Sequence, residues 1–439
     1  MKGPPATNGP AGETGEPEPL RPSEDRRLNV LIVYAQPVFW SMGEGCGAAI
    51  FSELPAAIAA RGHDVRVSLP GESKRGESEG AEMYRGFRLH RFAAGRSFMP
   101  TSYPILPARL YHRVSCWTSY QRRGLAAARE LCASFAPDLV IGMGCYEAPV
   151  AHRLGRERGV ANVTRLFGNS LSLTLRDPLR FYANFPEIAA LRTPADLIVF
   201  NDDGADSEAV ARRLRIPPRR IRHLRNGVDF DLFSPAPAGG SIRRRLGLAG
   251  GQPVLLTATR LAPEKKLERA IHALRDLSAR RPDAVLLVLG DGPEKENLIR
   301  CAREDGVADR VLLPGPVAQR ELPEYYREAD LVLSLLDRTN AANPVFEAMA
   351  CGRVVVTLDV GTARQLIRHQ ETGLLVRSVE LPRLGEMLAS WLDRKEEMRR
   401  MGEAASRAIR RLVMPKPQRM ALEVDLFEEV VRRRRGGQP

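Results

Sequence analysis

The sequence predicts an α/β protein of two domains, each built on a doubly wound parallel sheet. From Leu28 onward, short β-branched runs alternate with longer segments of helical spacing, and this alternation occurs in two series. Near-continuous apolar strands that alternate with helices are typical of parallel sheets covered by helices on both faces. The chain has 439 residues, more than one ordinary hydrophobic core accommodates. We therefore assign the two series to two domains.

Each series supplies its own set of predicted strands. In the first half they cover residues 28–35, 64–69, 137–143, 162–168, 196–201 and 220–227. In the second half they cover residues 253–260, 284–292, 310–315, 330–336, 353–359 and 373–378. The stretch "SPAPAGGS" at 234–241 has the composition of a linker. We therefore predict a disordered tail at 1–27, a first domain at 28–233, a second domain at 234–412, and a terminal helix with a basic tail at 413–439.

The composition argues against several classes of protein. No stretch approaches the roughly 18–20 consecutive apolar residues of a membrane span, and the N-terminus lacks the apolar centre of a signal peptide. The six cysteines are scattered without a C-x-x-C pair, so we expect neither a metal site nor a disulfide framework. The expectation is a cytoplasmic protein without a metal cofactor.

The chain is strongly basic, with a formal net charge of +13. Its arginines concentrate in "ARRLRIPPRRIRHLR" at 211–225, "SIRRRLG" at 241–247 and "VVRRRRGG" at 430–437. Such clusters fit phosphate-bearing ligands or peripheral contact with the inner face of an anionic membrane, and they fit a solvated basic surface equally well. The lack of aromatic-interleaved basic segments and of zinc-finger spacing argues against nucleic acid as a partner.

Ligands bind doubly wound sheets outside the carboxyl ends of the strands, so we expect the two domains to face a common cleft. In the second domain, Arg260 ends a strand and Lys265 precedes a helix, and two cations at this edge could neutralise a diphosphate. Gly290 and Gly292 lie between a strand and a helix, which fits a turn that approaches a phosphate or a tight structural turn. A third glycine at dinucleotide spacing is missing, which argues against a nicotinamide cofactor.

The first domain offers a glycine-rich loop at Gly45 and Gly47, which would let the backbone come close to a ligand. Pro55, in the helix that follows, should kink or interrupt that helix. The carboxylate-rich stretch "NDDGADSEA" at 201–209 misses the spacing of a calcium loop and is predicted to cap the next helix. The segment 93–117 is interpreted as a variable insert near the cleft.

The stretch "DRTNAANPVFEAMACGRVVV" at 337–356 places one carboxylate in a short apolar helix. Asn343 is the predicted N-cap, Pro344 the first helical residue and Gly352 the stop. Glu347 then lies about one turn into the helix, near N–H groups that carry partial positive charge. The carboxylate could serve the helix dipole, or it could accept hydrogen bonds from a pair of ligand hydroxyls. The pattern does not decide between these two roles.

Taken in order, these motifs resemble the retaining glycosyltransferases of family 4, which have the GT-B fold of two Rossmann-like domains facing a cleft. The matching text runs from about Leu28 to Leu412 and includes "RNGVDFDLFSP", "TRLAPEKKLERAI", "VLGDGPEKENL", "NPVFEAMACGRVVVTLDVG" and "ETGLLV". The resemblance implies metal-independent transfer of a sugar, with retention at the anomeric carbon, from a UDP- or GDP-sugar. The implied acceptor is a sugar or lipid-linked molecule of cell-envelope polysaccharide or glycolipid synthesis.

The resemblance also implies roles for individual residues. Arg260 and Lys265 would hold the donor diphosphate, and Glu347 would bind the ribose hydroxyls. Cations and a helix start in this position would stabilise the charge that develops on the departing diphosphate. The remaining donor-binding candidates are Gly45, Gly47, Gly290, Val317, Asn343, Val345 and Phe346, with the last two offering backbone N–H groups.

The sequence departs from the family pattern where the donor sugar would lie. The family's first glutamate falls on Thr339, its first-domain histidine has no counterpart, and its Gly-Gly-x-x-Glu stretch reads "GTARQ". In a variant of the loop, Asp337, Asn340 and Asn343 would take over polar contacts to the sugar, which makes Asp337 and Asn340 the catalytic candidates. The departures leave open an active transferase, a donor-binding but catalytically weak partner subunit and, more distantly, a sugar-nucleotide epimerase of the same architecture.

Overall fold

A computed structural model describes residues 27–36, 45–47, 50–71, 82–93, 106–168, 171–202, 204, 206–337 and 342–437. Within these ranges the chain forms one sheet of eight strands and one of six, with helices packed around them. Every strand predicted from the sequence is present, and its ends differ from the prediction by only a few residues.

The first domain contains the eight-stranded sheet. Its strands are β1 (Asn29–Val33), β2 (Asp64–Pro70), β3 (Glu82–Tyr84), β4 (Phe87–Phe92), β5 (Leu139–Gly142), β6 (Ala161–Leu166), β7 (Leu197–Asn201) and β8 (Ile221–Leu224). Its helices are α1 (Ile50–Ala60), α2 (Leu106–Ser134), α3 (Ala148–Arg158), α4 (Pro178–Ala183), α5 (Phe185–Arg192) and α6 (Ser207–Arg213). The strand order is β3-β4-β2-β1-β5-β6-β7-β8, and the pairs are parallel except for β3 with β4.

The second domain contains the six-stranded sheet. Its strands are β9 (Val254–Ala258), β10 (Val285–Leu289), β11 (Val311–Gly315), β12 (Leu331–Ser334), β13 (Val354–Leu358) and β14 (Leu374–Val376). The helices from here to the end of the chain are α7 (Ser241–Leu246), α8 (Glu268–Leu277), α9 (Lys295–Glu304), α10 (Leu322–Glu328), α11 (Asn343–Ala350), α12 (Ala363–Leu366), α13 (Leu384–Leu392), α14 (Lys395–Leu412) and α15 (Lys416–Arg435). The strand order is β11-β10-β9-β12-β13-β14, and all of its pairs are parallel.

In both sheets, the later strands of the domain lie on the opposite side of its first strand from the second strand. β1 lies between β2 and β5, and β9 lies between β10 and β12. At such a point the two connections leave toward opposite faces, so a crevice opens at the carboxyl ends of the strands. The topology therefore supplies each domain with one preferred position for a ligand.

The hairpin of β3 and β4 is absent from the sequence prediction. It turns at Arg85 and Gly86, and β4 continues the sheet in parallel with β2. Arginines at 88 and 91 interrupt the apolar run that marks the central strands. The interpretation of 93–117 as an insert is corrected in part, because residues from Leu106 onward belong to α2, which packs on β2, β4 and α3.

Helix α1 is continuous through Pro55, so the predicted break is absent. A proline has no N–H to offer the carbonyl four residues earlier, which here is that of Phe51. The hydroxyl of buried Tyr34, at the end of β1, donates to the Phe51 carbonyl. Tyr120 of α2 donates in turn to the Tyr34 carbonyl at 2.8 Å. A tertiary hydrogen bond thus supplies the partner that the helix lacks.

The acidic stretch at 201–209 caps a helix, as predicted. Asp206 is the N-cap of α6, and its Oδ1 accepts from the Ala209 N–H at 2.9 Å. Asp202 instead forms an ion pair with Arg225, with 2.9 Å between Oδ2 and Nη2. These acids therefore have structural partners.

The last helix, α15, returns to the first sheet. Its apolar side chains Met420, Val424, Phe427 and Val431 are buried in the core of the first domain together with residues of β1, β2 and β5. The chain therefore crosses between the domains twice, once after β8, near Asn226, and once before α15. The relative position of the domains is tied at both crossings.

A buried ionic cluster fastens α15 to β6. The Arg165 Nε donates to Glu423 Oε1 at 2.6 Å, and Arg419 donates to the other oxygen of Glu423. Arg419 also donates to the Arg225 carbonyl at 2.9 Å. The side chains of Arg165 and Glu423 are fully buried, so each charge depends on its partner for stabilisation.

The arginine clusters are partly engaged in local ion pairs. Arg435 pairs with Asp138, with 2.5 Å between Nη2 and Oδ1, and Arg434 lies 3.7 Å from Asp196. Asp138 and Asp196 precede β5 and β7, so the last cluster lies at the amino edge of the first sheet, opposite the cleft side. None of the helices in the described ranges combines the length and hydropathy needed to cross a bilayer.

Candidate functional site

A cavity of about 560 Å³ opens at the carboxyl edge of the second sheet, between β9 and β12. The ends of these strands form its floor, and the loop before α8 and the start of α11 form its walls. Hydroxyl, ammonium and apolar groups line it, from Thr257, Thr259, Lys265, Lys266, Ser334, Pro344 and Val345. This is the position at which the topology places a ligand.

One residue of the predicted basic pair, Lys265, lines this cavity. Lys265 ends the short turn Pro263–Lys265 and lines the cavity wall. Arg260 lies just after β9 with its side chain about half exposed, and its Nη2 donates to Glu264 Oε1 at 2.8 Å. An anion that enters from solvent therefore competes with Glu264 for Arg260.

Glu347 is buried on α11, where it is 7% exposed. The Tyr326 hydroxyl of α10 donates to Glu347 Oε2 at 3.1 Å. Burial raises the pKa of Glu347 to about 7, and this rise is opposed by the hydrogen bond from Tyr326, the positive charge of Lys416 and a hydrogen bond from Gln319. Glu347 therefore changes its charge near neutral pH.

Glu347 lines a second cavity, of about 390 Å³, that lies between the domains. The first domain contributes Glu53 of α1, the connection between the domains contributes Asn226 and its neighbours, and α15 contributes Lys416. Lys416 Nζ and Glu53 Oε1 form an ion pair at 2.9 Å. Glu347 and Lys265 thus line different cavities, with the first turn of α11 between them.

The start of α11 differs from the prediction by one residue. Ala342 occupies the N-cap position, and Asn343 is already helical. The predicted capping role is wrong because the Asn343 Oδ1 accepts from Asn226 Nδ2 at 2.7 Å, which ties α11 to the connection between the domains. The N–H groups of Val345 and Phe346, which we expect to face the donor, donate to the Ala342 carbonyl at 3.0 and 3.2 Å.

Asp337 lies at the end of the β12 connection, beside the first cavity. Its Oδ1 is 2.6 Å from Arg269 Nη1, and the same nitrogen donates to the Leu335 carbonyl at 2.8 Å. Arg269 thus neutralises this catalytic candidate. The other candidate, Asn340, and the substituted position Thr339 lie outside the described residues.

The loop at Gly45 and Gly47 of the first domain reaches the second domain. The Gln319 N–H donates to the Gly45 carbonyl at 3.1 Å. Gln319 belongs to the loop after β11 that also contains Val317, which packs against the apolar core of the second domain. Two loops predicted to contact the donor from opposite domains therefore meet, and Gln319 connects both to Glu347.

Gly290 and Gly292 form a tight turn after β10. The Gly290 N–H donates to the Gly315 carbonyl at 2.9 Å. Gly292 has φ near +154°, and a Cβ on it would lie 2.3 Å from the Leu261 carbonyl oxygen. Packing against the loop after β9 is thus enough to require glycine at 292. Contact between Gly290 and a donor stays a prediction.

Several residues of the site are not predicted from the sequence: Glu53, Asn226, Gln319, Tyr326 and Lys416. Lys416 and Glu53 are 363 positions apart, so no local pattern brings them together. Asn226 lies in the motif "RNGVDFDLFSP", and this motif could have marked Asn226 as a residue of the site. Tyr326 lies within α10 and Gln319 lies just before that helix, and neither has a distinctive spacing.

Comparison with known proteins finds a family match in the second domain. Residues 240–408 match the family of glycosyl transferases group 1. A GDP-mannose-dependent alpha-(1-6)-phosphatidylinositol monomannoside mannosyltransferase of Mycobacterium tuberculosis is 33% identical over 196 residues, which are 43% of this chain and 51% of that protein. A D-inositol 3-phosphate glycosyltransferase of Thermobispora bispora is 32% identical over 200 residues, 44% of this chain and 46% of that protein. The chain spans about half the length of these curated relatives.

Solved structures resemble the whole chain in fold. Sucrose-phosphate synthase from Thermosynechococcus elongatus has a TM-score of 0.73 at 19% identity, covering 92% of this chain and 99% of that one. HepE of Anabaena, in complex with UDP and glucose, has a TM-score of 0.69 at 16% identity, covering 92% and 100%. With its two parallel-sheet domains, this chain has the GT-B fold, as predicted. Its second domain is similar to the glycosyl transferases group 1.

Proposed function

We propose that this chain is a retaining glycosyltransferase of family 4 that transfers a sugar from a nucleotide-sugar donor without a metal. The observation that carries the proposal is the cavity at the carboxyl edge of the second sheet, with Lys265 on its wall and Glu347 beyond the first turn of α11. The match of residues 240–408 to the glycosyl transferases group 1 supports the proposal that the second domain binds the donor.

In the proposed complex the donor diphosphate lies between Lys265 and Arg260. Negative charge grows on the diphosphate as the bond between the sugar and the phosphate breaks, and cations fixed at this position stabilise it. Arg260 reaches the phosphate by exchanging Glu264, its partner at 2.8 Å, for the donor. A full Arg–phosphate contact is stronger and more directional than the exposed ion pair that it replaces.

Glu347 acts in this proposal as the acceptor of the ribose hydroxyls. Hydrogen bonds from two hydroxyls favour the ionised carboxylate, so donor binding lowers the pKa of Glu347 from its value of about 7. Binding and loss of the proton are therefore coupled. The Tyr326 hydroxyl keeps one carboxylate oxygen oriented while the ligand binds.

The comparisons guide the choice of donor and acceptor. One relative is named as GDP-mannose-dependent, and HepE is solved with UDP and glucose, so GDP-mannose and UDP-glucose are the first donors to test. The names of two relatives contain phosphatidylinositol monomannoside and inositol 3-phosphate, which supports acceptors that carry a phosphorylated inositol. We place the reaction in cell-envelope glycolipid or polysaccharide synthesis, in the cytoplasm, with peripheral contact to the inner face of the membrane.

A panel of nucleotide sugars tests the proposal. Binding is measured by thermal shift, and turnover is measured by release of UDP or GDP with phosphorylated inositols as acceptors. The anomeric configuration of the product, read by NMR, tests retention, and activity in excess EDTA tests metal independence. We expect one nucleotide sugar to stabilise the protein and to be turned over.

Two variants connect the result to the cavity. Lys265→Ala should weaken donor binding by about tenfold, because it removes one charged contact to a phosphate. The matched control is Lys295→Ala, which removes an exposed lysine on α9 in the same domain. If no nucleotide sugar binds, or if both lysine variants have the same effect, the assignment of the donor site is wrong. Binding without transfer to any acceptor would contradict the proposed activity.

A further inference from the structure

Three side chains with metal-binding groups converge where α8 and α9 pack together. They are His272 of α8, Cys301 of α9 and Asp305, which directly follows α9. An imidazole nitrogen, the thiol sulfur and a carboxylate oxygen of these residues lie within 4.8 Å of one another. The side chain of His272 is 46% exposed and that of Asp305 is 11% exposed, so an ion from solvent can reach the group.

Contacts within the second domain already hold these three side chains in place. Cys301 packs against the apolar core of the domain, and Asp305 follows it by four positions, about one helical turn. His272 Nδ1 and Asp305 Oδ2 are 2.5 Å apart. The other oxygen of Asp305 accepts from Arg275 Nη1 at 3.0 Å. The folded chain therefore brings the groups together before any ion is bound.

The surroundings of the thiol favour a cation. The carboxylates of Glu268, Glu304 and Asp305 all act electrostatically on Cys301, and Arg275 is the cation that opposes them. Three carboxylates thus face the thiol against one guanidinium. A divalent ion beside the sulfur would gain from this excess of negative charge, and it would in turn stabilise the thiolate.

We propose that His272, Cys301 and Asp305 bind one Zn²⁺ ion, with a water molecule as the fourth ligand. Thiolate and imidazole ligands suit zinc, whereas Mg²⁺ and Ca²⁺ prefer oxygen ligands alone. The thiol releases its proton to solvent as the sulfur binds the ion. His272 and Asp305 separate by about 1 Å so that the ion replaces the hydrogen between them. Arg275 keeps its bond to the second carboxylate oxygen and orients Asp305.

The zinc site is separate from the cavity at the carboxyl edge of the second sheet. Ala270 of α8 lines that cavity and is buried, whereas His272, two positions later, projects from the other side of the helix. The ion therefore joins α8 to α9 without contact with a donor. The proposal holds whether or not the chain transfers a sugar.

The expectation that the scattered cysteines bind no metal is revised by the packing of α8 on α9. His272 and Asp305 are 33 positions apart, and the ligands come from two helices, so the sequence contains no short metal-binding motif. Only the contact between the helices brings the imidazole to the thiol and the carboxylate.

Titration of the full chain with ZnCl₂ tests this proposal, after treatment with EDTA and exchange into metal-free buffer. We expect calorimetry to show one Zn²⁺ per chain and no comparable binding of Mg²⁺. Cys301→Ser and His272→Gln should each bind zinc more than about tenfold more weakly, because loss of a partner behind a ligand alone costs 10- to 100-fold. With Co²⁺ in place of zinc, the native chain should show the near-ultraviolet absorption of a cobalt–thiolate bond, and Cys301→Ser should not.

Two control variants test whether the effect belongs to this group of side chains. His369→Gln removes another exposed histidine of the second domain, and Cys132→Ser removes a thiol of α2 in the first domain. Both should bind zinc as the native chain does. Thermal melts in metal-free buffer establish that each variant is folded. Added zinc should raise the melting temperature of the native chain and of both controls, but not that of His272→Gln.

Four outcomes would overturn the proposal. They are the absence of zinc binding, equal binding of Mg²⁺, unchanged zinc affinity in Cys301→Ser or His272→Gln, and a cobalt spectrum without thiolate absorption. Sugar transfer is measured in parallel at a temperature at which the metal-free chain is folded. Loss of zinc binding with transfer retained separates this site from the donor site, and the zinc titration decides the proposal even if no sugar is transferred.

Discussion

Replacing Glu347 by glutamine should change stability and donor binding in opposite directions. The carboxylate is buried, so its ionised form is costly in the folded protein. Glutamine has nearly the same shape and still offers an oxygen to the Tyr326 hydroxyl, which donates to Glu347 at 3.1 Å. Glu347→Gln therefore removes the ionisation while it leaves the packing nearly unchanged.

The size of the stability effect follows from the pKa of Glu347. In the folded chain this pKa is about 7, against an ordinary value of 4.5, so between these two pH values the folded state holds a proton that the unfolded state has lost. Stability therefore falls as the pH rises from about 4.5 to about 7. At about 1.4 kcal/mol per pH unit, the loss is on the order of 3 kcal/mol. Glu347→Gln should exceed the native chain by less than about 1 kcal/mol at pH 5 and by up to about 3 kcal/mol at pH 8.

Glu347→Gln should weaken the binding of the donor, although it stabilises the fold. Hydrogen bonds to a charged group contribute about 1.5–3 kcal/mol, so Glu347→Gln should bind the nucleotide sugar about 10- to 100-fold more weakly at pH 8. In the native chain, affinity should increase as the pH rises through about 7, because the ionised carboxylate binds the hydroxyls. In Glu347→Gln this dependence should disappear.

Urea unfolding at pH 5 and pH 8, with calorimetric titration of the donor at both values, measures these effects. Glu371→Gln is the matched control, because Glu371 is an exposed carboxylate of the same domain. The reasoning is refuted if Glu347→Gln changes stability equally at both pH values. A donor affinity that does not depend on position 347 would remove Glu347 from the ribose site.

Two further predictions concern contacts that only the folded chain creates. Glu423→Gln leaves the guanidinium groups of Arg165 and Arg419 buried without a carboxylate, so it should cost about 3–5 kcal/mol of stability, measured as a lower urea midpoint. Gly402→Ala on α14 would place a Cβ 2.1 Å from the Gly352 carbonyl oxygen after α11. The helices must then separate, and the same assay should show a loss of about 1–3 kcal/mol.

Each of these predictions has a matched control. Glu429→Gln removes a partly exposed carboxylate from the same helix as Glu423, and its effect should stay within about 1 kcal/mol. Gly436→Ala adds a Cβ whose nearest neighbour is 3.4 Å away, so it should be nearly neutral. Equal effects in a variant and its control would contradict the role assigned to burial or to the close contact.

The central strands were predictable because burial on both faces leaves a continuous apolar run in the sequence. β3 and β4 were not, because they lie at the edge of the sheet and carry arginines and a glutamate. The predicted N-cap failed for a different reason: capping preferences describe isolated helix ends, and Asn343 bonds across the cleft to Asn226.

In the candidate site, too, some features were predictable from the sequence and others depended on the fold. Lys265 and Glu347 were identified from motifs because each lies at the end of a strand or the start of a helix, where sequence and position are locally linked. The separation of these residues into two cavities, the raised pKa of Glu347 and the pairing of Asp337 with Arg269 depend on neighbours that are distant in sequence.

The sequence by itself determined two mainly parallel sheets, their order along the chain and the carboxyl edge of the second sheet at which a cavity opens. These properties follow from periodicity and connection lengths, which each segment carries locally. Only the tertiary structure decided that α15 packs on the first sheet, that Glu423 joins Arg165 to Arg419, and that Lys416 of α15 pairs with Glu53 of α1. Burial and pairing of charges depend on which surfaces meet, and no single segment contains that information.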